Sequence, residues 1–492
     1  LRETFVIKKL FLLVVLVVVV LAAVVLVRTA LLKPVETAAL PVHPVTLDEA
    51  GAVKRFVGAI QIPTESKADA PPDQAAMLQF RDYLQASFPK VHATMQREVL
   101  PDGALLLTWK GKDAAAKPVI LMGHIDVVPV PQEALVKWTH PPYSGDVADG
   151  FIWGRGTADD KIHVLSLMEA AETLIGQGFT PARTILFAFG CDEENGGTYG
   201  AREIVKLLQS RGVKAEFVLD EGGAVVKGFL PGVDKSLAVV GIAEKGIMDL
   251  TLSTKGVGGH SSEPPVHTAI GELAAALTKL EKHPFPGVMT PVVEEQYTAI
   301  APYMPFSKKL VLANLWLFKP VIVAGALKDP VQAGSFHTTT AEDMVSGGFK
   351  DNALPPSARA VINFRILPGE TTVSVTERVK KVIDDPGVSV VDEHANDPRN
   401  PSPVSPVDSD AYKTLTGTIK AMFPDAIVSP YMVAAATDAT WYTPLSPNVY
   451  RFLAFEADTS MLGMIHGVNE RIAPEKYVKT VQFTAQLIQN IR

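Results

Sequence analysis

The chain has 492 residues, enough for two or three domains, and its 47% hydrophobic and 20% charged residues are a globular balance. A net charge of −7, a pI near 5.9 and the lack of a basic stripe with interleaved aromatics argue against a nucleic-acid surface. The one cysteine, Cys191, excludes an intrachain disulfide, so the fold rests on its core and on any bound metal.

Residues 10–27 carry no charge, Pro or Gly. As a helix this run spans roughly 27 Å, close to the hydrocarbon core of a bilayer. Arg2, Lys8 and Lys9 precede it, and Arg28 and Lys33 follow. The run is longer than a usual signal-peptide core, and no clean small-x-small site follows closely. Residues 1–32 are therefore expected to be an uncleaved signal anchor, with a cleaved signal peptide as the alternative. Either way the body is expected outside the cytoplasm, membrane-anchored or secreted. Residues 33–46, rich in Pro, Val and Ala, read as a tether.

Helical spacing is expected over 47–60 and 75–87, and strands at 105–109 and 118–121. The second strand runs into Met122-Gly123-His124-Ile125-Asp126-Val127-Val128-Pro129. His124 and Asp126 thus sit where a sheet ends and a loop begins, the edge at which ligands gather in open α/β sheets. A His with an Asp two residues on can be a metal ligand held by a second carboxylate; a solvated loop His also fits the pair. His140, in a Pro-rich loop, reads as a loop residue. A short strand, 151–153, ends in Gly154-Arg155-Gly156-Thr157-Ala158-Asp159-Asp160-Lys161 at the start of a helix, where the dipole favours carboxylates. N-capping alone would account for one of these Asp residues. The strand 184–189 ends in Gly190-Cys191-Asp192-Glu193-Glu194, three consecutive acids that repel one another unless a cation or solvent offsets the charge. A helix over 200–211 and a strand over 216–219 follow, the latter ending in Asp220-Glu221-Gly222-Gly223. This alternation argues for an α/β fold, a mostly parallel sheet covered by helices on both faces.

The pattern changes at Gly246. A half-exposed strand over 247–253 leads to Gly256-Val257-Gly258-Gly259-His260 and a helix over 267–280. A long, Pro-rich irregular stretch, 283–334, precedes strands at 338–348 and 358–367 and a helix at 373–383. This reads as a smaller α+β domain, 246–396, inserted between catalytic segments 47–245 and 397–492. A helix over 411–422, a strand over 448–455 and a helix over 475–491 close the chain. No internal repeat is visible, and a single spanning stretch excludes a transmembrane transporter.

His124 with Asp126, Asp159, Glu193 with Glu194, Asp220 and His466 form one candidate set. Two histidines and three carboxylates can hold two Zn²⁺ ions if one carboxylate bridges, leaving coordination open for water, the mark of a catalytic site. The remaining Glu is then available as a general base. The set resembles the aminoacylase/carboxypeptidase S family of dinuclear zinc exopeptidases and amidohydrolases, over residues 47–492. The motifs that carry the resemblance are His124-Ile125-Asp126-Val127-Val128-Pro129, Gly154 to Lys161 and Val218-Leu219-Asp220-Glu221-Gly222-Gly223. It implies a zinc-exopeptidase-like body with a lid or dimerisation domain. It also implies that Asp159 bridges both metals, that His124 and Asp220 bind one and Glu194 and His466 the other. Asp126 would orient His124, Glu193 would be the base, and the Asp159–Asp160 peptide would be cis. His260 would reach a neighbouring subunit's site in a homodimer, and Asn352 and Arg365 would bind the substrate carboxylate, which suits the fork of Arg.

One position departs from the family. Thr440 in Ala436-Thr437-Asp438-Ala439-Thr440 stands where the family usually has Arg, which puts free-carboxylate specificity in question. The expected activity is cleavage of the amide of an N-acyl amino acid, in either direction. The alternative is a carboxypeptidase S-like exopeptidase or dipeptidase acting on a short peptide. An inactive, receptor-like metal-binding domain would need a broken site, whereas every ligand and Glu193 are present. The apolar stretch 285–323 would line an acyl channel or, more plainly, form lid core or a dimer face.

Overall fold

The computed structural model describes every residue except 1, 36, 69, 229–232, 459, 460 and 462. Its body is built on one large sheet. In spatial order the strands are Gln96–Val99, Leu105–Trp109, Ile185–Gly190, Val119–His124, Val218–Asp220, Val449–Arg451, Leu237–Glu244, Ala224–Lys227 and Glu456–Asp458, with Ile427–Val433 also paired to Leu237–Glu244. The centre is parallel: Val119–His124 runs with Ile185–Gly190 on one side and Val218–Asp220 on the other. The strand at 105–109 is antiparallel to its neighbour. Every residue of Val119–His124, Ile185–Gly190 and Leu237–Glu244 is buried, as expected for strands covered on both faces. Helix Lys161–Gly176 is buried along most of its length and packs against Pro474–Asn490 and Glu49–Ile60.

A second, four-stranded antiparallel sheet, ordered Thr339–Gly347, Ser357–Ile366, Gly246–Lys255 and Val388–Asp392, forms a separate lid. Helices Ala269–Lys282 and Thr372–Ile383 supply its core, with Leu273, Val375 and Val379 packed on Leu250, Ile362 and Phe364. Alternate residues of Ser357–Ile366 are buried, so only one face of this sheet is covered. The chain enters and leaves the lid side by side, with the Ile247 N–H bonded to the Arg399 carbonyl at 3.0 Å. A Cβ at Gly246 would stand 2.6 Å from that carbonyl oxygen and 2.7 Å from the Pro401 nitrogen, so only glycine fits the crossing.

Two expectations need correction here. The stretch 283–334 is largely helical, in Pro291–Ile300, Phe306–Leu312 and Leu315–Ala326. Pro291 opens its helix and Pro305 precedes the next, positions at which proline costs nothing. These helices do not belong to the lid. Val292, Val293, Leu315, Ala326 and Phe336 pack into the core of the body, and Pro291–Ile300 lies against strand Ile427–Val433. The tether is also not loose, position 36 lying outside the described residues. The Leu40 N–H bonds the Gly417 carbonyl, and Gln486 exchanges hydrogen bonds with both backbone groups of His43. The N-terminal run is a single helix, Arg2–Leu31, whose apolar surface is almost wholly exposed.

Beneath the cleft described below, Arg451 and Glu244 form a fully buried ion pair at 2.9 Å. Arg451 Nη1 also donates to the Val449 carbonyl, and Glu244 accepts from both the N–H and the hydroxyl of Thr437. The pair joins two neighbouring strands to the loop carrying Thr437 and Asp438. Arg451→Met removes one partner and leaves the Glu244 charge buried, which costs about 3–5 kcal/mol. Urea unfolding should show that loss as a lowered midpoint with an unchanged slope.

Candidate metal centre

The candidate residues meet at the carboxyl edge of the parallel strands. His124 is the last residue of its strand, facing Gly190 across the ladder, and Glu193 and Glu194 lie in the short 3-10 turn Glu193–Asn195 just beyond it. Asp159 ends the glycine-rich loop before helix Lys161–Gly176, and His466 comes in from the loop before the final helix. The His466 backbone is left-handed, with φ of 59°. The Asp159–Asp160 peptide is cis.

Asp159 is the centre of the group. Its Oδ1 lies 3.0 Å from His124 Nε2 and its Oδ2 lies 3.0 Å from His466 Nε2. His466 Nε2 is also 3.2 Å from Glu194 Oε2, and His124 Nε2 is 3.6 Å from Glu221 Oε1. The donor atoms form three overlapping groups: His124, Asp159 and Glu221; Asp159, Glu194 and His466; and His124, Glu193 and Glu194, the first two sharing Asp159. Glu194 Oε1 is buried without a hydrogen-bond partner, as a carboxylate oxygen reserved for a cation would be. The donor chemistry, imidazole and carboxylate with no thiolate, suits a divalent metal of the zinc type.

Asp220, expected as a ligand, lies outside these groups although its Oδ2 is buried without a hydrogen-bond partner, and Glu221 lies in one of them. Adjacent residues leaving a strand point to opposite sides. Asp220 is buried on the side of His163 and Asp438, and Glu221 turns toward His124. Nothing in the sequence separates the two acids except the register of the strand end.

Two buried carboxylates hold the loops in place. Asp126 lies 3.3 Å from His124 Nδ1, and it accepts the backbone N–H groups of Glu193 and Glu194 and the Ser66 hydroxyl. It thus orients both the imidazole and the turn that carries the two glutamates. Glu470, which sequence reasoning missed, accepts N–H groups from Gly156, Ala158 and Asp159 and pairs with Arg155 at 2.6 Å. The signal for it is weak, a single acid three residues after Gly467 in the His466 segment. Asp192, the first of the three consecutive acids, is structural and accepts the N–H groups of Tyr199 and Gly200. His140 is structural too, bonded to Asp146 and packed on Trp153.

The electrostatics follow from burial. Burial, with repulsion from Asp438, Glu221 and Glu194, pushes the Glu193 carboxyl well above the usual range. Glu221 and Asp438 are raised for the same reasons. Hydrogen bonds that His466 donates to the Asp159 and Glu194 carboxylates push it up to about 10. His124 is raised as well, because its bonds to Asp126, Asp159 and Glu221 outweigh its burial.

A cleft of about 400 Å³ opens beside the two glutamates. Glu193, Glu194 and His466 line one side of it, and Lys245, Arg365 and Arg399 bring three cations to the other. Thr440 and Trp441 complete the wall. The structure does not bring His260 or Asn352 to this cleft. Both are exposed on the lid, where Gly259–His260 pairs with Ala353–Leu354, and the His260 side chain bonds only Ser262 among the described residues. No residue of 285–323 lines the cleft either, because those helices pack on the body instead.

Residues 120–490 match the model of Peptidase family M20/M25/M40. The chain belongs to that family. It is 39% identical over 443 residues to human N-fatty-acyl-amino acid synthase/hydrolase PM20D1, covering 88% of this chain and 86% of the human protein. It is 40% identical to the probable carboxypeptidase S-like 2 of Dictyostelium discoideum, over 84% of this chain and 79% of that one. Carboxypeptidase S of Saccharomyces cerevisiae is 31% identical, over 89% and 84%. Among solved structures, an M20 family metallo-carboxypeptidase from Sulfolobus solfataricus superposes with a TM-score of 0.67 at 16% identity, over 89% of this chain and 98% of that one. Human carnosine dipeptidase 1 superposes with a TM-score of 0.60, also at 16% identity, over 90% and 96%.

The M20 chain is accordingly a metal-dependent hydrolase of amide or peptide bonds. Its charge balance yields a pH prediction. With metal stripped by a chelator, His466 is protonated in the fold up to about pH 10, against an ordinary value of 6.5. A raised His contributes stability fully below its unfolded value and loses it as pH rises through its folded value. The raised carboxyls act in the same direction, since ionising them in the fold is unfavourable. The stripped protein should therefore melt progressively lower from pH 6.5 to 10. The metal-loaded protein should not, because a metal needs neutral imidazole and binds better as pH rises. Loading Zn²⁺ at pH 7 should release protons, one of them from His466, measurable by calorimetry in buffers of different ionisation enthalpy.

Proposed function

We propose that this enzyme hydrolyses the amide of N-acyl amino acids with two Zn²⁺ ions and Glu193 as general base, in a reaction that also runs in the synthetic direction. The observation that supports the reading is Asp159, whose Oδ1 lies by His124 and Oδ2 by His466, with Glu193 alongside. His124, Asp159 and Glu221 would hold one ion, and Asp159, Glu194 and His466 the other. Ions held there would supply Lewis acidity that brings the pKa of water toward about 7, from near 16 in bulk.

The protein's own residues do the rest. Glu193 takes the proton from the attacking water and later delivers it to the leaving nitrogen. Asp126 fixes the Glu193 backbone through the N–H it accepts at 3.1 Å, so base and His124 keep one spacing. In the cleft the substrate carboxylate would meet Arg365 and Arg399. Arg399 answers the missing arginine at Thr440. Its guanidinium lies against Gly196, where a Cβ would stand 2.1 Å from its Nη2, two residues beyond Glu194. It makes no ion pair within 4 Å and no side-chain hydrogen bond among the described residues, and so faces the cleft available. Ile247, Ala436 and Trp441 give the cleft an apolar side for an acyl group. His260 and Asn352 would act only across a homodimer, from the lid of a second copy. The N-terminal helix would anchor the body outside the cytoplasm, or be removed from a secreted form. The second reading, a carboxypeptidase S-like exopeptidase, is supported by the similarity to the Dictyostelium and yeast proteins.

Amine release from a panel of N-fatty-acyl amino acids and dipeptides, with Zn²⁺ loaded, separates the two readings. Acyl amino acids should turn over and dipeptides should not; the reverse would make the enzyme an exopeptidase. Glu193→Gln should lower kcat by 10²–10⁴-fold while retaining Zn²⁺. Arg399→Ala should raise KM for substrates with a free carboxylate by about 10–100-fold. The same variant should leave carboxamide analogues unaffected.

A further inference from the structure

The helices Phe306–Leu312 and Leu315–Ala326 meet at a bend of 109° and form an apolar hairpin on the surface of the body. The second helix, Leu-Trp-Leu-Phe-Lys-Pro-Val-Ile-Val-Ala-Gly-Ala, has one charge, Lys319, which pairs with Glu294 at 2.6 Å. One face packs inward through Leu315, Ala326, Ile322 and Val323. The other face is equally apolar and is open, with Trp316 54% and Val321 66% exposed, and Phe306 on the first helix 65% exposed. A helix that is apolar all round normally lies in a core or in lipid. This one has a core on one side only.

Its neighbour indicates what covers the other side. Asn314, at the bend, donates from its side-chain amide to the Val25 carbonyl and the Thr29 hydroxyl of the N-terminal helix, both at 3.2 Å. Val25 and Thr29 are the only buried residues of that helix among those described, and residues 10–24 before them are apolar and exposed. The hairpin thus abuts the last turns of a bilayer-length helix. Neither arm can span: at 1.5 Å per residue they reach roughly 10 and 18 Å, against about 30 Å of hydrocarbon. Lys308, Lys309 and Lys328 flank the apolar face, and Trp316 lies within it, a composition that fits the headgroup level.

We infer that this hairpin is a second membrane element, lying in the plane of the near leaflet beside the N-terminal helix and seating the body against the bilayer. The occupant of its open face is lipid. The inference is independent of which amide the enzyme cleaves.

The test uses the full chain in phosphatidylcholine vesicles containing anionic lipid. Phe306→Cys, Val321→Cys and, as a control, Val136→Cys would each carry an environment-sensitive fluorophore. Val136 is 88% exposed in the turn Gln132–Lys137, and the native Cys191 is buried and its thiol pushed up, so it resists labelling. Nitroxide placed near the top of the acyl chain should quench positions 306 and 321 several-fold more than position 136. Aqueous iodide should quench position 136 most. Equal lipid quenching at all three positions overturns the inference. So does oxidative cross-linking of Val321→Cys between copies without lipid quenching, which would make the face a dimer contact. Melting temperatures equal to that of the parent confirm that each labelled variant is folded.

Discussion

The structure depends on keeping several carboxylates close together out of water. Asp126, Asp160, Asp220 and Asp438 are buried, and Asp159, Glu193 and Glu221 half-buried, around two histidines. Isolated charges in such a place would neutralise or expel the loops that carry them. Backbone N–H groups offset part of the problem: Asp126 takes two, and Glu470 takes three from the Asp159 loop. Arg155 and Arg451 compensate acids at the edge of the cluster. What is left faces one small volume, where positive charge has to come from protons on His124 and His466 or from cations. Asp160, Asp220, Asp438 and Glu194 each keep a buried carboxylate oxygen without a hydrogen-bond partner, so the scaffold alone does not balance the cluster.

The same scaffold explains why the fold places so much on strand ends. The parallel strands are buried on both faces, so no ionisable side chain can leave them midway. Chemistry is confined to the edge where Val119–His124, Ile185–Gly190 and Val218–Asp220 stop. Glycine supplies the space. A Cβ at Gly190 or Gly197 would run into the Asp438 carboxylate at 2.5 and 2.2 Å. The loops can therefore stack in contact, and the acids of separate segments come within reach of one ion.

Much of this was legible in the sequence because it is local. The apolar run before His124 and the acid runs after short strands locate the edge of the sheet without any tertiary knowledge. The alternation of strands and helices indicates the layers. The rest depended on information that spacing does not contain. Asp220 and Glu221 differ only in which side of a strand end they leave. Asp192 looks like a third functional acid until its two backbone donors are seen. Arg399 stands in an irregular segment with no periodicity, and only the crossing beside Gly246 carries it to the cleft. The prolines of 283–334 suggested a coil, although Pro291 and Pro305 fall at helix starts, where a missing N–H is harmless, and Pro320 is carried inside a helix. His260 and Asn352 matched a motif, but a motif has no distance, and within one chain the lid holds them away.

The segment after the N-terminal helix has its own consequence. It is stitched to the body at Leu40 and His43, through Gly417 and Gln486, and the helix itself is pinned at Asn314. A body on a free leash would sweep a hemisphere of solvent. With that helix in a bilayer, this body is denied the sweep and holds its cleft at one height and one azimuth above the surface. Encounter with an amphiphile dissolved in the leaflet then becomes a search in two dimensions rather than three. Its rate would be set by lateral diffusion and surface density, and bulk concentration would matter only through partitioning.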